Sequence, residues 1–183
     1  MNINTSAVER TETKSGRPVS AGREEADEKQ KYERDESEYP WIMFSIDGTA
    51  YAVNSKYVLS IEIIEEITPI VGAPHYCPGI TESRGDYIEL VDTRALFGLG
   101  DYLSAIAIKT NTRHMMVVTE INETKRGLIV DDIISVEFIS RFTHDVVGDT
   151  GGKMKSQYVR QIAIRDKSDS PVLIIDPDSF SML

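Results

Sequence analysis

The chain has 183 residues, with 30 Asp and Glu against 20 Lys and Arg and a formal net charge of −10. That length suits one domain able to bury its own core, and the acidic balance excludes the basic patch of a nucleic-acid binder and disfavours an anionic membrane face. With one cysteine, Cys77, no apolar run near the roughly 20 residues that span a bilayer and no signal-like stretch at the N-terminus, the expected compartment is the reducing cytoplasm.

Residues 1–39 hold almost no large apolar side chains. Glu24, Glu25, Asp27, Glu28, Glu33, Asp35, Glu36 and Glu38 alternate with Lys29, Lys31 and Arg34. Such a segment does not bury enough surface to offset its ordering entropy. It reads as an acidic, disordered N-terminal tail, with a transient solvated helix over 24–36 held by i,i+4 charge pairs or a docking arm as sharper readings. The domain is expected over 40–183.

The pattern changes at Tyr39-Pro40. Trp41 to Ile46 is a β-type apolar run ended by Asp47-Gly48, a strong hairpin signal, and Tyr51 to Val53 returns. Val58 to Ile64 alternates after a short helical turn near Ser55. Pro69, Pro74 and Pro78 then punctuate a loop, since proline removes a ladder donor. Further strands are expected at Tyr87 to Val91, Ala105 to Ile108, His114 to Ile121, Gly127 to Val136 (interrupted by Asp131-Asp132), Tyr158 to Ile164 and Pro171 to Ile175. Two short helices are expected: Thr93 to Phe97, stopped at Gly98, and Asp176 to Met182. The second has Asp176 as N-cap and Pro177 at the first helical position, where its missing N–H costs nothing. Many short strands with polar turns and no long amphipathic helix point to an all-β sandwich or barrel.

Catalytic and metal-binding constellations are incomplete. Gly148-Asp149-Thr150-Gly151-Gly152 places Thr where a trypsin-like nucleophile loop has Ser, and His144 nearby forms no triad layout, so the stretch reads as a Gly-rich hairpin. Gly151-Gly152-Lys153 is not a phosphate-binding loop, because Val147 and Met154 stand where that motif needs Gly and Ser or Thr. His75 and Cys77, with His114 or His144 as a distant third ligand, fall short of the four N or S ligands of structural zinc. Cys77 reads instead as a small hydrophobe tucked inward. Asp131 and Asp132, adjacent in a strand, point to opposite faces and do not converge on one ion; they read as a strand-end turn or bulge. Met115 and Met116 likewise alternate, one into the core and the other toward a partner helix. No enzyme class gains support, and no cofactor or metal is expected.

The stretch from Gly79 to Gly98 reads Gly-Ile-Thr-Glu-Ser-Arg-Gly-Asp-Tyr-Ile-Glu-Leu-Val-Asp-Thr-Arg-Ala-Leu-Phe-Gly. It resembles the signature of CheW-like domains, in which a Gly precedes an Asn-Leu-Arg-Gly turn, an apolar strand follows, and Asp-Leu-Arg leads into a short helix. Arg84-Gly85 match the Arg-Gly, and Asp92 and Arg94 match the Asp and Arg. The hairpin around Asp47-Gly48, the Pro74 to Gly79 lead-in, Gly127-Leu-Ile-Val-Asp131 and the closing strands before the terminal helix follow in the same order. Here the Asn-Leu is Glu82-Ser83, an apolar position is Asp86, the strand Pro is Glu89, and the Leu of Asp-Leu-Arg is Thr93.

The resemblance covers roughly residues 40–183 and implies two intertwined SH3-like β-barrel subdomains with short helices, a short C-terminal helix and a shared apolar core. It implies a cytoplasmic chemotaxis adaptor, not an enzyme and monomeric alone. Such an adaptor couples the cytoplasmic tips of chemoreceptors (methyl-accepting chemotaxis proteins) to the regulatory domain of the CheA histidine kinase. Val58 and Ser60 match positions of the partner-facing segment. Arg84 matches the turn arginine, which either meets the partner or bridges a carboxylate such as Asp92 to hold the turn. Gly79, Gly85, Asp92 and Arg94 match the structural signature, with Gly85 supplying a backbone angle or close approach. Glu82 adds a negative charge that favours a basic partner surface. Two other readings stay open: a CheW-like scaffold for a non-chemotaxis kinase pathway, and a β-barrel ligand-binding module.

Overall fold

Asp47 and Gly48 turn the first hairpin. Both have positive φ, 52° and 76°, the requirement of the tight turn whose twist matches two antiparallel strands. In the computed structural model of the chain this hairpin joins β1 (Trp41–Ile46) to β2 (Thr49–Asn54). The structure describes residues 36–100, 114–143, 156–180 and 183. Residues 1–35 of the tail expected over 1–39, the expected strand Ala105 to Ile108 and the Gly-rich stretch at 148–152 lie outside the described residues.

A 3-10 turn, η1 (Ser55–Tyr57), carries the chain away from β2, capped by Asn54, whose side chain accepts from the Lys56 N–H. Then follow β3 (Val58–Ile64), β4 (Ile80–Ser83), β5 (Asp86–Asp92) and the short helix α1 (Thr93–Phe97). Asp92 caps α1 by accepting from the Arg94 and Ala95 N–H groups, and Gly98 ends it in the left-handed conformation. After them come β6 (His114–Ile121), β7 (Thr124–Val130), β8 (Asp132–Glu137), β9 (Arg141–Phe142), η2 (Ser156–Tyr158), β10 (Val159–Ile164), β11 (Pro171–Ile175) and η3 (Pro177–Phe180). The Asp176 carboxylate accepts from the Asp178 N–H at the start of η3, as the capping pattern implied; the element is 3-10 rather than α-helical.

The strands form a six-stranded sheet, β8-β1-β2-β11-β10-β9, and a five-stranded sheet, β3-β6-β7-β5-β4. The chain crosses from the first sheet to the second at η1 and returns at Asp131, while β11, from the far end of the sequence, pairs in parallel with β2. The six-stranded sheet is therefore built from both ends of the domain, β1–β2 and β8–β11, around the continuous stretch β3–β7 that forms the five-stranded one, which is the intertwining that the resemblance implied.

Each sheet buries both faces. Between them lies a shared core with Phe44, Ile46, Tyr51 and Val53 from one sheet and Val91, Val117, Leu128 and Val130 from the other. Trp41, Met43, Ala52, Val172 and Ile174 pack on the opposite face of the six-stranded sheet. Ile88, Leu90, Met116, Val118 and Ile129 do the same for the five-stranded one. Burial on both faces explains why β1 and β11 read as unbroken apolar runs rather than alternating ones.

Two expectations change, and two strands were not foreseen. The run Gly127 to Val136 is two strands in different sheets, broken at Asp131. Met115 and Met116 do point to opposite faces, but Met116 fills one core and Met115 packs against another, so neither forms a methionine surface. The short strands β4 and β9 had no recognisable apolar pattern.

Candidate functional site

The turn between β4 and β5 is built by Arg84 and Gly85, with φ of 52° and 87°. It lifts the Arg84 side chain, 73% exposed, over the edge of β3, where its Nε lies 3.3 Å from Glu62 Oε1. Glu62 is the hub of this face. Its Oε1 accepts from the Ser60 hydroxyl at 2.5 Å and its Oε2 from the Ser83 hydroxyl at 2.8 Å. Glu62 thus ties β3 to β4, the two edges of the five-stranded sheet. The Thr68–Ile80 bridge and the Thr81 hydroxyl, which donates to the Glu66 carbonyl at 2.7 Å, extend the closure.

Of the residues expected to face a partner, Ser60 and Arg84 meet through Glu62. Val58 is half-buried and packs against the shared core. The register between β3 and β6 shifts between Val58 and Ser60, and the extra residue, Leu59, stands 46% exposed, as does Ile63 further along. A bulge re-aims side chains in this way, and strand periodicity did not reveal it. Glu82 is exposed on β4 opposite Tyr87. A cleft of about 430 Å³ opens beside it, lined by Glu65, Glu66, Thr81, Glu82, Arg84 and Tyr87.

The structural-signature residues separate into distinct roles. Arg84 does not bridge Asp92: β5 spans seven residues between them, about 20 Å at roughly 3.3 Å per residue. Asp92 is buried as the α1 cap. Gly79, with φ of 147°, passes so close to Thr68 that a Cβ would fall 2.2 Å from its carbonyl oxygen. Gly85 serves its positive φ alone, since a Cβ there would meet nothing within 4 Å. Arg94 forks onto Asp131 and reaches Asp47, a network that spacing did not suggest.

Two of the acidic departures are paired within the chain. Asp86 accepts from Lys125 of β7 at 2.6 Å. Glu89 lies 4.0 Å from Arg126 Nε, its register partner on β7. Arg126 is buried, and it donates to the Phe180 and Leu183 carbonyls, holding the C-terminal turn. Its Nε has no hydrogen-bond partner, so Glu89 supplies the nearby negative charge that a buried cation requires. Cys77 is buried with its Sγ 3.8 Å from the Gly79 carbonyl, and burial pushes its thiol pKa up.

The Glu62 pKa is lowered below the ordinary value of 4.5, chiefly by the Ser60 hydrogen bond and, against the cost of burial, by Ser83 and Arg84. A folded-state value below the unfolded one means that Glu62 contributes stability above the unfolded pKa. The contribution is lost as pH falls through the lowered folded value. Glu62→Gln is expected to cost about 1–2 kcal/mol at pH 7, with the gap to wild type narrowing as pH drops below 4.5. Urea unfolding at pH 7, 5 and 3.5 measures it; a gap independent of pH would refute the assignment.

A family model for the CheW-like domain matches residues 40–181. The chain is 27% identical over 99 residues to a protein named chemotaxis protein CheW from Rhizobium meliloti (strain 1021), covering 54% of this chain and 60% of that protein. It therefore spans less than two thirds of that relative. A probable chemotaxis protein CheW from Rhizobium etli is 23% identical over 129 residues, covering 69% of this chain and 77% of the relative. The crystal structure of the scaffolding protein TtCheW from Thermoanaerobacter tengcongensis matches with a TM-score of 0.63 and 24% identity, covering 76% of this chain and 84% of that one; this likeness concerns the fold. Since the family match runs across both sheets from β1 to η3, the chain belongs to the CheW-like domain family.

Proposed function

We propose that this protein is a chemotaxis adaptor, a non-enzymatic scaffold that couples the cytoplasmic tips of chemoreceptors to the regulatory domain of a CheA-type histidine kinase. Family membership and the names of its relatives support the reading. The observation that carries it is the edge strand β3, which holds Glu62, paired with Arg84 of the β4–β5 turn, and also the exposed apolar residues Leu59 and Ile63. An edge strand that offers apolar contact area and also anchors a charge pair suits protein association. Coupling is then a matter of geometry and populations: the adaptor binds one state of the receptor–kinase assembly better and so favours it. Among the described residues, no helix is long and apolar enough to cross a membrane.

Calorimetry of the full chain against the kinase regulatory domain and, separately, a receptor tip tests the reading. At least one is expected to bind at micromolar affinity or tighter. Leu59→Ser and Arg84→Ala are each expected to weaken that binding about tenfold, or 1.4 kcal/mol, with little loss of stability because both side chains are substantially exposed. Absence of binding to both by folded wild type would sink the adaptor reading. It would favour the second reading, a CheW-like scaffold for another kinase pathway, which Glu82 at the altered turn supports.

A further inference from the structure

Glu36 belongs by composition to the acidic N-terminal stretch and lies upstream of the region shared with the family, 40–181. Yet its side chain is only 5% exposed. Donors from two separate parts of the domain converge on it. Arg160 of β10 grips both carboxylate oxygens, Nη1 to Oε1 at 3.1 Å and Nη2 to Oε2. From η1, the Tyr57 hydroxyl donates to Oε1 at 3.3 Å and the Lys56 ammonium lies 3.9 Å away. The Glu36 backbone is held too: its carbonyl accepts from Asn54 Nδ2 at 2.9 Å and from the Tyr39 N–H at 3.2 Å. Trp41 packs its ring 6.0 Å from the Arg160 guanidinium.

The position of η1 gives this cluster a consequence. It is the crossover from one sheet to the other, and the next residues are Val58, Leu59 and Ser60. Asn54 caps the turn with its Oδ1 while holding Glu36 with its Nδ2. A bidentate carboxylate–guanidinium pair with little solvent access fixes orientation more firmly than an exposed pair does. We propose that Glu36 is a positioning residue: it clamps η1 to β10 and so fixes the start of β3, where the bulge presents Leu59 to a partner. The effect on partner binding rests on the adaptor reading; the clamp itself does not.

Hydrogen exchange on the free full-length protein reads the clamp directly. Glu36→Gln is expected to raise amide exchange at least tenfold over residues 54–61 while β6 and β7 keep their protection. Arg160→Met is expected to do the same, and Arg160→Lys, which retains the cation without the fork, to fall between Arg160→Met and wild type. A rise shared equally by all strands would mean general destabilisation and overturn the proposal, as would unchanged exchange over 54–61. Calorimetry against the kinase domain or receptor tip that binds wild type is expected to show a several-fold loss for Glu36→Gln and Arg160→Met, and a smaller loss for Arg160→Lys. Raised local exchange with unchanged affinity would reject the positioning role. If wild type binds neither partner, the adaptor reading has failed, while the exchange result still decides the clamp.

Discussion

Gly79→Ala is expected to destabilise the protein by about 3–5 kcal/mol, whereas Gly85→Ala costs about 1–2 kcal/mol. Both glycines belong to the sequence signature and both have positive φ, so signature alone does not rank them. What ranks them is the space around them. A Cβ on Gly85 would meet nothing within 4 Å, while one on Gly79 would fall 2.2 Å from the Thr68 carbonyl oxygen and 2.8 Å from its carbon. These are backbone atoms, which do not swing aside as a flexible side chain does. The clash would force Thr68 away from Ile80 and break the two bridging hydrogen bonds, Thr68 N–H to the Ile80 carbonyl at 2.8 Å and Ile80 N–H to the Thr68 carbonyl at 2.9 Å. It would also disturb the bond from the Leu90 N–H to the Gly79 carbonyl. Urea midpoints of the two variants measure the difference. Equal midpoints would show that the loop yields and that only the backbone angle matters.

The ease of reading an element from sequence followed the range of the interactions that make it. Asp47-Gly48, Asp92 with Gly98, and Asp176-Pro177 act within a few residues, so turn and cap chemistry placed the first hairpin, α1 and the start of η3. The strand break at Asp131 depends on Arg94 and Asp47, 37 and 84 positions away, and the apolar residues on either side disguise it as one run. Glu36 is the extreme case. Its partner Arg160 is 124 positions along the chain, and composition averaged over a charged segment hides one buried carboxylate. At the candidate site, the family resemblance located the Arg84 turn and the β3 segment. The hub, Glu62, carried no signal because its meaning comes from Ser83 at the opposite edge of the sheet and Arg84 in the turn that follows it. Leu59 rather than Val58 stands exposed at the start of β3 because a bulge breaks the two-residue period that strand reading relies on.

Arg94→Met is expected to cost about 3 kcal/mol and to lower the melting temperature by about 6–12 °C. Arg94 stands where three segments meet. From α1 its Nε and Nη2 reach the two Asp131 oxygens at 3.1 and 2.5 Å, and its Nη1 reaches Asp47 at 3.1 Å. Asp131 in turn accepts from the Asp47 N–H at 2.7 Å and donates its own N–H to the Ser45 carbonyl at 2.9 Å. The guanidinium therefore fastens the point where the chain passes between sheets to the hairpin that begins the other sheet. Removing it leaves two carboxylates side by side without a cation, a larger loss than an ordinary surface pair. The two limbs should be unequal: Asp131 is 34% exposed and Asp47 58%, so Asp131→Asn is expected to cost about 2 kcal/mol and Asp47→Asn about 0.5 kcal/mol. Arg94→Lys should fall between wild type and Arg94→Met, because an ammonium supplies charge without the fork. Unfolding should remain a single transition in every variant, since the shared core draws Phe44 and Tyr51 from one sheet and Val117 and Leu128 from the other. Two separated transitions in Arg94→Met would instead make this arginine, rather than the core, the element that joins the halves of the fold.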